Sequence, residues 1–84
     1  MARNRQLDEL IDLLLKIKTK AEMENFLLGI FTPKELEEIP ARLRIVKMLK
    51  KGISQHEIAE SLKVGIATVT RGSKEIQKGR FKVV

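Results

Sequence analysis

The sequence of 84 residues predicts an all-α fold of five to six short helices that ends in a helix-turn-helix. Apolar residues recur three and four positions apart along most of the chain, which is the period of an amphipathic helix. Capping motifs and glycines separate these stretches, and no segment alternates apolar and polar residues as a half-buried strand does. We expect one domain over residues 1–84, with a helical dimerisation core at 6–52, a helix-turn-helix at 54–78 and a short tail at 80–84.

The first helix is predicted at residues 6–18, where six leucines and isoleucines lie at helical spacing. Leu13 lies off that stripe, so the helix is apolar over more of its circumference than a small monomer can cover. We therefore expect a homodimer. Asp8, Glu9 and Asp12 interrupt the apolar run, which excludes a secretory signal core and disfavours insertion into a membrane surface. We expect a cytoplasmic protein with no membrane partner.

Capping boxes start the next two helices. Thr19 with Glu22 predicts a helix that ends near Ile30. Thr32 with Glu35 predicts another helix, whose first residue is the proline that follows the threonine.

This third helix contains a proline and ends at a glycine. Pro40 removes a backbone donor, so we expect it to kink or restart the helix. The apolar pattern resumes at Ala41 and stops at Gly52, a residue suited to the left-handed position after a helix.

The pattern over residues 54–78 is that of a helix-turn-helix. Ser54 with Glu57 opens its first helix, and Gly79 ends its second. We expect the small Ala59 where the two helices cross at close range. We expect Gly65 where the turn between them tolerates little bulk.

Charge is divided unevenly along the chain. Residues 1–41 carry six Lys/Arg against eight Asp/Glu, whereas residues 42–84 carry eleven against three, a net charge of +8. This excess coincides with the helix-turn-helix, so a polyanion such as DNA is the expected partner. The outward residues of the second helix are short, hydroxyl-bearing or basic, and can reach base edges and phosphates in a major groove. They are Ala67, Thr68, Thr70, Arg71 and Lys74.

The composition argues against several other kinds of site. There is no cysteine, which excludes disulfides and thiolate zinc sites. The single histidine, His56, cannot form a metal site alone, and we expect it to face solvent or lie near a phosphate. Since no paired carboxylates, nucleophile with a base or glycine-rich phosphate loop can be assembled, we expect neither an enzyme nor a required cofactor.

Three segments resemble the tryptophan repressor superfamily: FTPKELE at 31–37, ARLRIVKMLKKG at 41–52 and GIATVTRGS at 65–73. The last is the most distinctive, because generic helix-turn-helix proteins rarely carry Thr-Arg-Gly-Ser within the second helix. The resemblance implies an intertwined homodimer that binds a pseudo-palindromic operator in double-stranded DNA and represses transcription. It also implies DNA contacts by Gln55, Ile66, Ala67, Thr68, Thr70 and Arg71.

The resemblance further implies a site for L-tryptophan as corepressor, between the core and the helix-turn-helix. Guanidinium planes can stack on an indole ring, and arginine can pair with a carboxylate. An alternative is that the two arginines in question, Arg42 and Arg71, pair with phosphates or with Glu37 and Glu38. The matching positions for the ligand are Thr32, Arg42, Arg71 and Gly72.

Several departures from the family pattern argue against tryptophan dependence. Glu75 lies four residues after Arg71, where it can pair with the guanidinium and oppose the carboxylate of a ligand. Val64 is β-branched and stiffens the turn. Pro40 interrupts a helix that the family keeps continuous, and the sequence stops at Val84, before the family's last dimer-interface helix. We predict DNA binding that is largely independent of tryptophan.

Two alternatives to a repressor remain open. The chain can be an architectural or RNA-binding module, which would show no preference among DNA sequences. It can also be a protein-interaction module whose helix-turn-helix no longer binds DNA.

Overall fold

The structure is a computed structural model that describes residues 4–84, so the first three residues of the expected domain lie outside it. Over this range the chain forms five α-helices and no strand, and the all-α prediction is confirmed. The helices are α1 (Arg5–Lys16), α2 (Lys20–Ile30), α3 (Pro33–Lys50), α4 (Gln55–Leu62) and α5 (Ile66–Gln77).

Side-chain caps start the first helices, because their initial N–H groups have no partner within the helix. Asn4 caps α1 through its side-chain oxygen, which accepts from the N–H of Leu7. The predicted caps of α2 and α4 are confirmed. Thr19 accepts a hydrogen bond from the N–H of Glu22, and Ser54 accepts one from the N–H of Glu57.

The start of α3 is a complete capping box. Thr32 Oγ1 accepts from the N–H of Glu35, and Glu35 Oε1 accepts from the N–H of Thr32. Of the two outcomes expected at Pro40, a restart is not found, because α3 continues as one helix to Lys50. An internal proline costs about 3 kcal/mol or more in a helix. Pro40 is exposed, and the burial of Ile45 further along α3 offsets this cost.

Glycines end α3 and α5, as the sequence predicts. Gly52 has a φ of +85° and Gly79 has a φ of +80°. In both cases the N–H of the next residue donates to the carbonyl five residues before it, which completes a Schellman motif. The two helix ends are therefore fixed by backbone geometry.

The chain divides into two units, the first extending to Leu36 and the second comprising Glu37–Val84. In the first unit no described residue is fully buried. Leu15 is 77% exposed and Leu28 is 57% exposed. No helix in the described part of the chain is both long and apolar enough to cross a membrane. The other large apolar side chains exposed in this unit are Leu7, Ile11, Leu13 and Ile30.

The second unit contains the hydrophobic core. Ile45 of α3, Ile58 of α4 and Val69 of α5 form one buried cluster, each at most 1% exposed. Burying a side chain of this size contributes about 1.5–3 kcal/mol. Because each helix supplies one member, the core fixes the arrangement of α4 and α5. Partly buried residues packed around it are Met48, Leu49, Ile53, Ala59, Leu62 and Val64.

Candidate nucleic-acid interface

The turn between α4 and α5 differs from the sequence expectation. Lys63, not a glycine, takes the left-handed conformation, with φ of 56°, and the N–H of Val64 donates to the carbonyl of Ala59 at 3.1 Å. Gly65 has an ordinary φ of −68°, and a Cβ there would meet nothing within 4 Å. The expectation that Gly65 avoids bulk is therefore wrong. This glycine is the N-cap of α5. Because it has no side chain, the first N–H groups of α5 have no side-chain cap.

Helix α5 is held on one side and open on the other. Val69 is fully buried against the core, which fixes the rotation of the helix about its axis. Five of the seven predicted DNA-contact residues lie on the exposed side. They are Ile66, Ala67, Thr68, Arg71 and Lys74.

The other two predicted contact residues, Gln55 and Thr70, are half-buried and bonded to each other. Thr70 Oγ1 donates to Gln55 Oε1 at 2.7 Å. This bond joins the first turn of α4 to the middle of α5.

The second unit carries eleven Lys/Arg and five Asp/Glu, a net charge of +6.

Contrary to the expectation that Glu75 pairs with Arg71, its carboxylate lies 3.4 Å from Lys78 Nζ and 3.2 Å from Arg80 Nε. Partial burial raises the pKa of Glu75, but the hydrogen bonds and charges of Lys78 and Arg80 outweigh it. The pKa therefore lies below its ordinary value of 4.5. Within residues 4–84 no ion pair includes Arg71 or Lys74, so both charges on the exposed side of α5 stay available to an anion.

Three of the four predicted ligand residues line a single cavity of about 370 Å³ in the second unit: Arg42, Arg71 and Gly72. Thr32 belongs to the first unit, where it caps α3. No set of three or more His, Cys, Asp or Glu residues in the described chain is placed to hold a metal ion. Further residues on the wall of the cavity are Ile45, Val46, Thr68, Glu75 and Phe81.

Sequence reasoning missed the role of Lys50 and the position of Phe81. Lys50 Nζ donates to the backbone carbonyls of Phe81 and Val84, the latter at 2.8 Å, and so ties the tail to α3. Phe81 thereby lies on the cavity wall. No sequence motif indicates such a contact, because the lysine and its partners are more than 30 residues apart.

Comparison with known proteins identifies the family. The family model described as Trp repressor protein matches residues 5–83, almost the whole chain. The chain belongs to the Trp repressor family. This is a family of regulatory proteins rather than enzymes.

Three relatives in the Trp repressor family are each named Trp operon repressor homolog. The protein from Vibrio parahaemolyticus is 38% identical over 74 residues, which cover 87% of this chain and 72% of that protein. The one from Vibrio cholerae is 40% identical, covering 82% of this chain and 68% of the relative. The one from Xylella fastidiosa is 34% identical, covering 98% and 90%. No solved structure matches the chain significantly.

Proposed function

We propose that this protein is a sequence-specific DNA-binding repressor of the cytoplasm that acts as a homodimer on a pseudo-palindromic operator. The observation that carries the proposal is the way in which α5 is held and exposed. One side of the helix is anchored by Val69 in the core, while the other presents hydroxyl, apolar and basic side chains to solvent. A rigidly held helix with such a face can enter a major groove and read base edges. The names of the curated relatives support the repressor role.

The proposed contacts divide by chemistry. Thr68 can hydrogen-bond to a base edge, and Ile66 and Ala67 can contact a thymine methyl group. Arg71 can pair with guanine or a phosphate, and Lys74 with a phosphate. Ile66 is 43% exposed, which suits an apolar residue that is covered only when DNA is bound.

A second copy of the chain is the proposed occupant of the apolar surface in the first unit. No described residue of α1 or α2 is fully buried, although both helices are rich in leucine. Exposed apolar surface of this extent is typical of an interface. In a two-fold dimer, two recognition helices about one turn of DNA apart would match a pseudo-palindromic site.

Tryptophan is proposed not to be required for DNA binding. Arg42 and Arg71 could stack on an aromatic ligand in the cavity that they share with Gly72. Glu75 lies on the same wall, and its negative charge would oppose the carboxylate of an amino acid there. The cavity therefore fits an aromatic ring better than a whole amino acid.

The experiment that tests this function is selection of bound sites from random duplex DNA, followed by affinity measurements on selected and scrambled duplexes. Thr68→Ala should weaken binding to the selected site by about 1–3 kcal/mol and leave the scrambled duplex unchanged. Lys74→Ala is the matched control, because loss of a phosphate contact weakens both duplexes alike and lowers the salt slope by about one.

The same selection separates the alternatives. Equal affinity for all duplexes would indicate a non-regulatory nucleic-acid module. Unaltered migration with every duplex would indicate a protein-interaction module.

A further inference from the structure

The hydrogen bond between α4 and α5 assigns a role to two of the residues expected to contact DNA. Thr70 Oγ1 donates to Gln55 Oε1 at 2.7 Å, a short and favourable distance for a hydroxyl donor. Both side chains are half-buried, so water competes with this bond less than it would on an open surface.

The bond leaves the NH₂ end of the Gln55 amide open to another molecule. An amide group has a carbonyl oxygen that accepts and an NH₂ group that donates two hydrogen bonds. Because Thr70 engages the oxygen, the NH₂ group of Gln55 is left with its donors free. A glutamine with both ends free can pair with adenine in a bidentate manner. When Thr70 already occupies one side of the oxygen, the two free N–H donors favour an acceptor such as a phosphate oxygen.

Gln55 is the first residue of α4, directly after the cap Ser54. In a helix-turn-helix the first helix crosses the DNA backbone, and its N-terminal turn lies near phosphates. We propose that Thr70 is a positioning residue that holds the Gln55 amide with its NH₂ group toward a DNA phosphate. This inference rests on the proposed function and deepens it.

It also alters the role expected of Thr70 from the sequence. A hydroxyl that donates to Gln55 has no hydrogen left to donate to a base. Thr70 then contributes to affinity for every duplex through Gln55, whereas Thr68, exposed two residues earlier, reads the sequence.

The test is a double-mutant cycle on Gln55 and Thr70, with affinities measured on the selected site and on a scrambled duplex. Thr70→Val removes the hydroxyl with little change of shape and should weaken both duplexes by about fivefold to tenfold, the usual worth of one such hydrogen bond. Thr70→Ser keeps the hydroxyl and should remain within about twofold of the wild type. In a Gln55→Ala background, Thr70→Val should cause no further loss, because the side chain that it positions is gone.

A second variant tests the orientation of the amide without altering Thr70. Gln55→Glu keeps an acceptor for the threonine hydroxyl but replaces the NH₂ donors with a negative charge. It should melt at about the wild-type temperature, yet bind every duplex more weakly than Gln55→Ala does, most of all at low salt. This variant decides the matter even if Thr70→Val does not fold.

The outcomes separate this inference from the function on which it rests. Wild-type protein that binds no duplex overturns both. If the wild-type protein selects a site but the losses from Thr70→Val and Gln55→Ala are additive, the inference alone is overturned. Gln55→Glu binding that equals wild-type binding overturns it as well.

Discussion

Gly72 in α5 faces Ile45 in α3 so closely that a Cβ on the glycine would lie 3.3 Å from Ile45 Cγ2. Ile45 is 1% exposed, so it has little room to move. The absence of a side chain at Gly72 lets α5 rest directly on α3. The position of α5 thus depends on a contact between backbone and core, in addition to the turn that precedes the helix.

We expect Gly72→Ala to destabilise the protein, because the added methyl presses on a core residue that cannot shift freely. The expected loss is about 1 kcal/mol or more, despite the gain in helix propensity. The matched control is Gly29→Ala in α2, where a Cβ meets nothing within 4 Å. That change should stabilise by about 0.5–1 kcal/mol. Urea denaturation measures the free energy of unfolding of both variants. Equal stabilisation would show that Ile45 can move aside for a methyl group at Gly72.

Lys50→Met should free the tail from α3. The variant keeps the apolar length of the side chain but loses the donors to the carbonyls of Phe81 and Val84. Amide hydrogen exchange after Gly79 should become faster, while exchange in the core around Ile58 stays unchanged. Lys47→Met, on the same helix, is the control and should leave the tail protected. Unchanged protection in Lys50→Met would mean that other contacts hold the tail.

The ion pairs of Glu75 predict how stability depends on pH. Its pKa is lowered in the folded protein by the bonds from Lys78 and Arg80, so ionised Glu75 stabilises the fold above its ordinary pKa of 4.5. This contribution is lost as the pH falls below 4.5 and through the lowered folded-state value. The melting temperature of Glu75→Gln should lie below that of the wild type at neutral pH, and the two should converge in acid. A gap that persists in acid would assign the effect to packing.

The dimer proposal predicts the effect of charge within α1. Leu14 is half-buried in the described chain. Leu14→Lys should give a monomer or an unfolded chain, because burying an ammonium group at an interface is far less favourable than packing a leucine. Glu9→Lys places the same group at an exposed position of α1 and should remain dimeric. Sedimentation at micromolar concentration checks both variants. A compact, well-folded monomer of the wild type would contradict the proposal.

Local signals in the sequence predicted most of the fold. The caps Thr19, Thr32 and Ser54 and the terminal glycines act within five residues, so their spacing alone identifies the helix ends. Ile58 and Val69 are buried in the core, and each belongs to the apolar residues spaced three or four positions apart in its helix.

Features that depend on packing between distant residues could not be predicted. Helix propensity disfavours a helix that continues through Pro40. The helix continues because the second half of α3 packs into the core, and propensity alone cannot predict that packing. Glu75 has cationic candidates on two sides, and only the path of the chain after Gly79 brings Arg80 close enough to form the pair. Lys50 and its partners in the tail are separated by more than 30 residues, so spacing carries no information about that contact.

We expect millimolar L-tryptophan to raise affinity for the selected site by less than tenfold, or about 1.4 kcal/mol of coupling. Of the two effects that the sequence suggested for Glu75, pairing with Arg71 is not found, and opposition to the carboxylate of the ligand remains as the reason. Its carboxylate lies on the wall of the cavity that Arg71 lines. There it would repel the carboxylate of the amino acid, although the ion pairs with Lys78 and Arg80 offset part of its charge. Val64 packs against the core, so we expect the turn to be ordered before any ligand binds.

The variant that tests this explanation is Glu75→Ser combined with Val64→Ala. It removes the repulsion and loosens the turn. A larger fraction of the protein should then hold α5 away from its DNA-binding position, and tryptophan should raise DNA affinity by a larger factor. Titration of the selected duplex with and without L-tryptophan measures the coupling in wild type and variant. Glu60→Gln, an exposed carboxylate change on α4, should leave the coupling unchanged. A tenfold gain in the wild type would show that the cavity already works as a corepressor site despite the charge of Glu75.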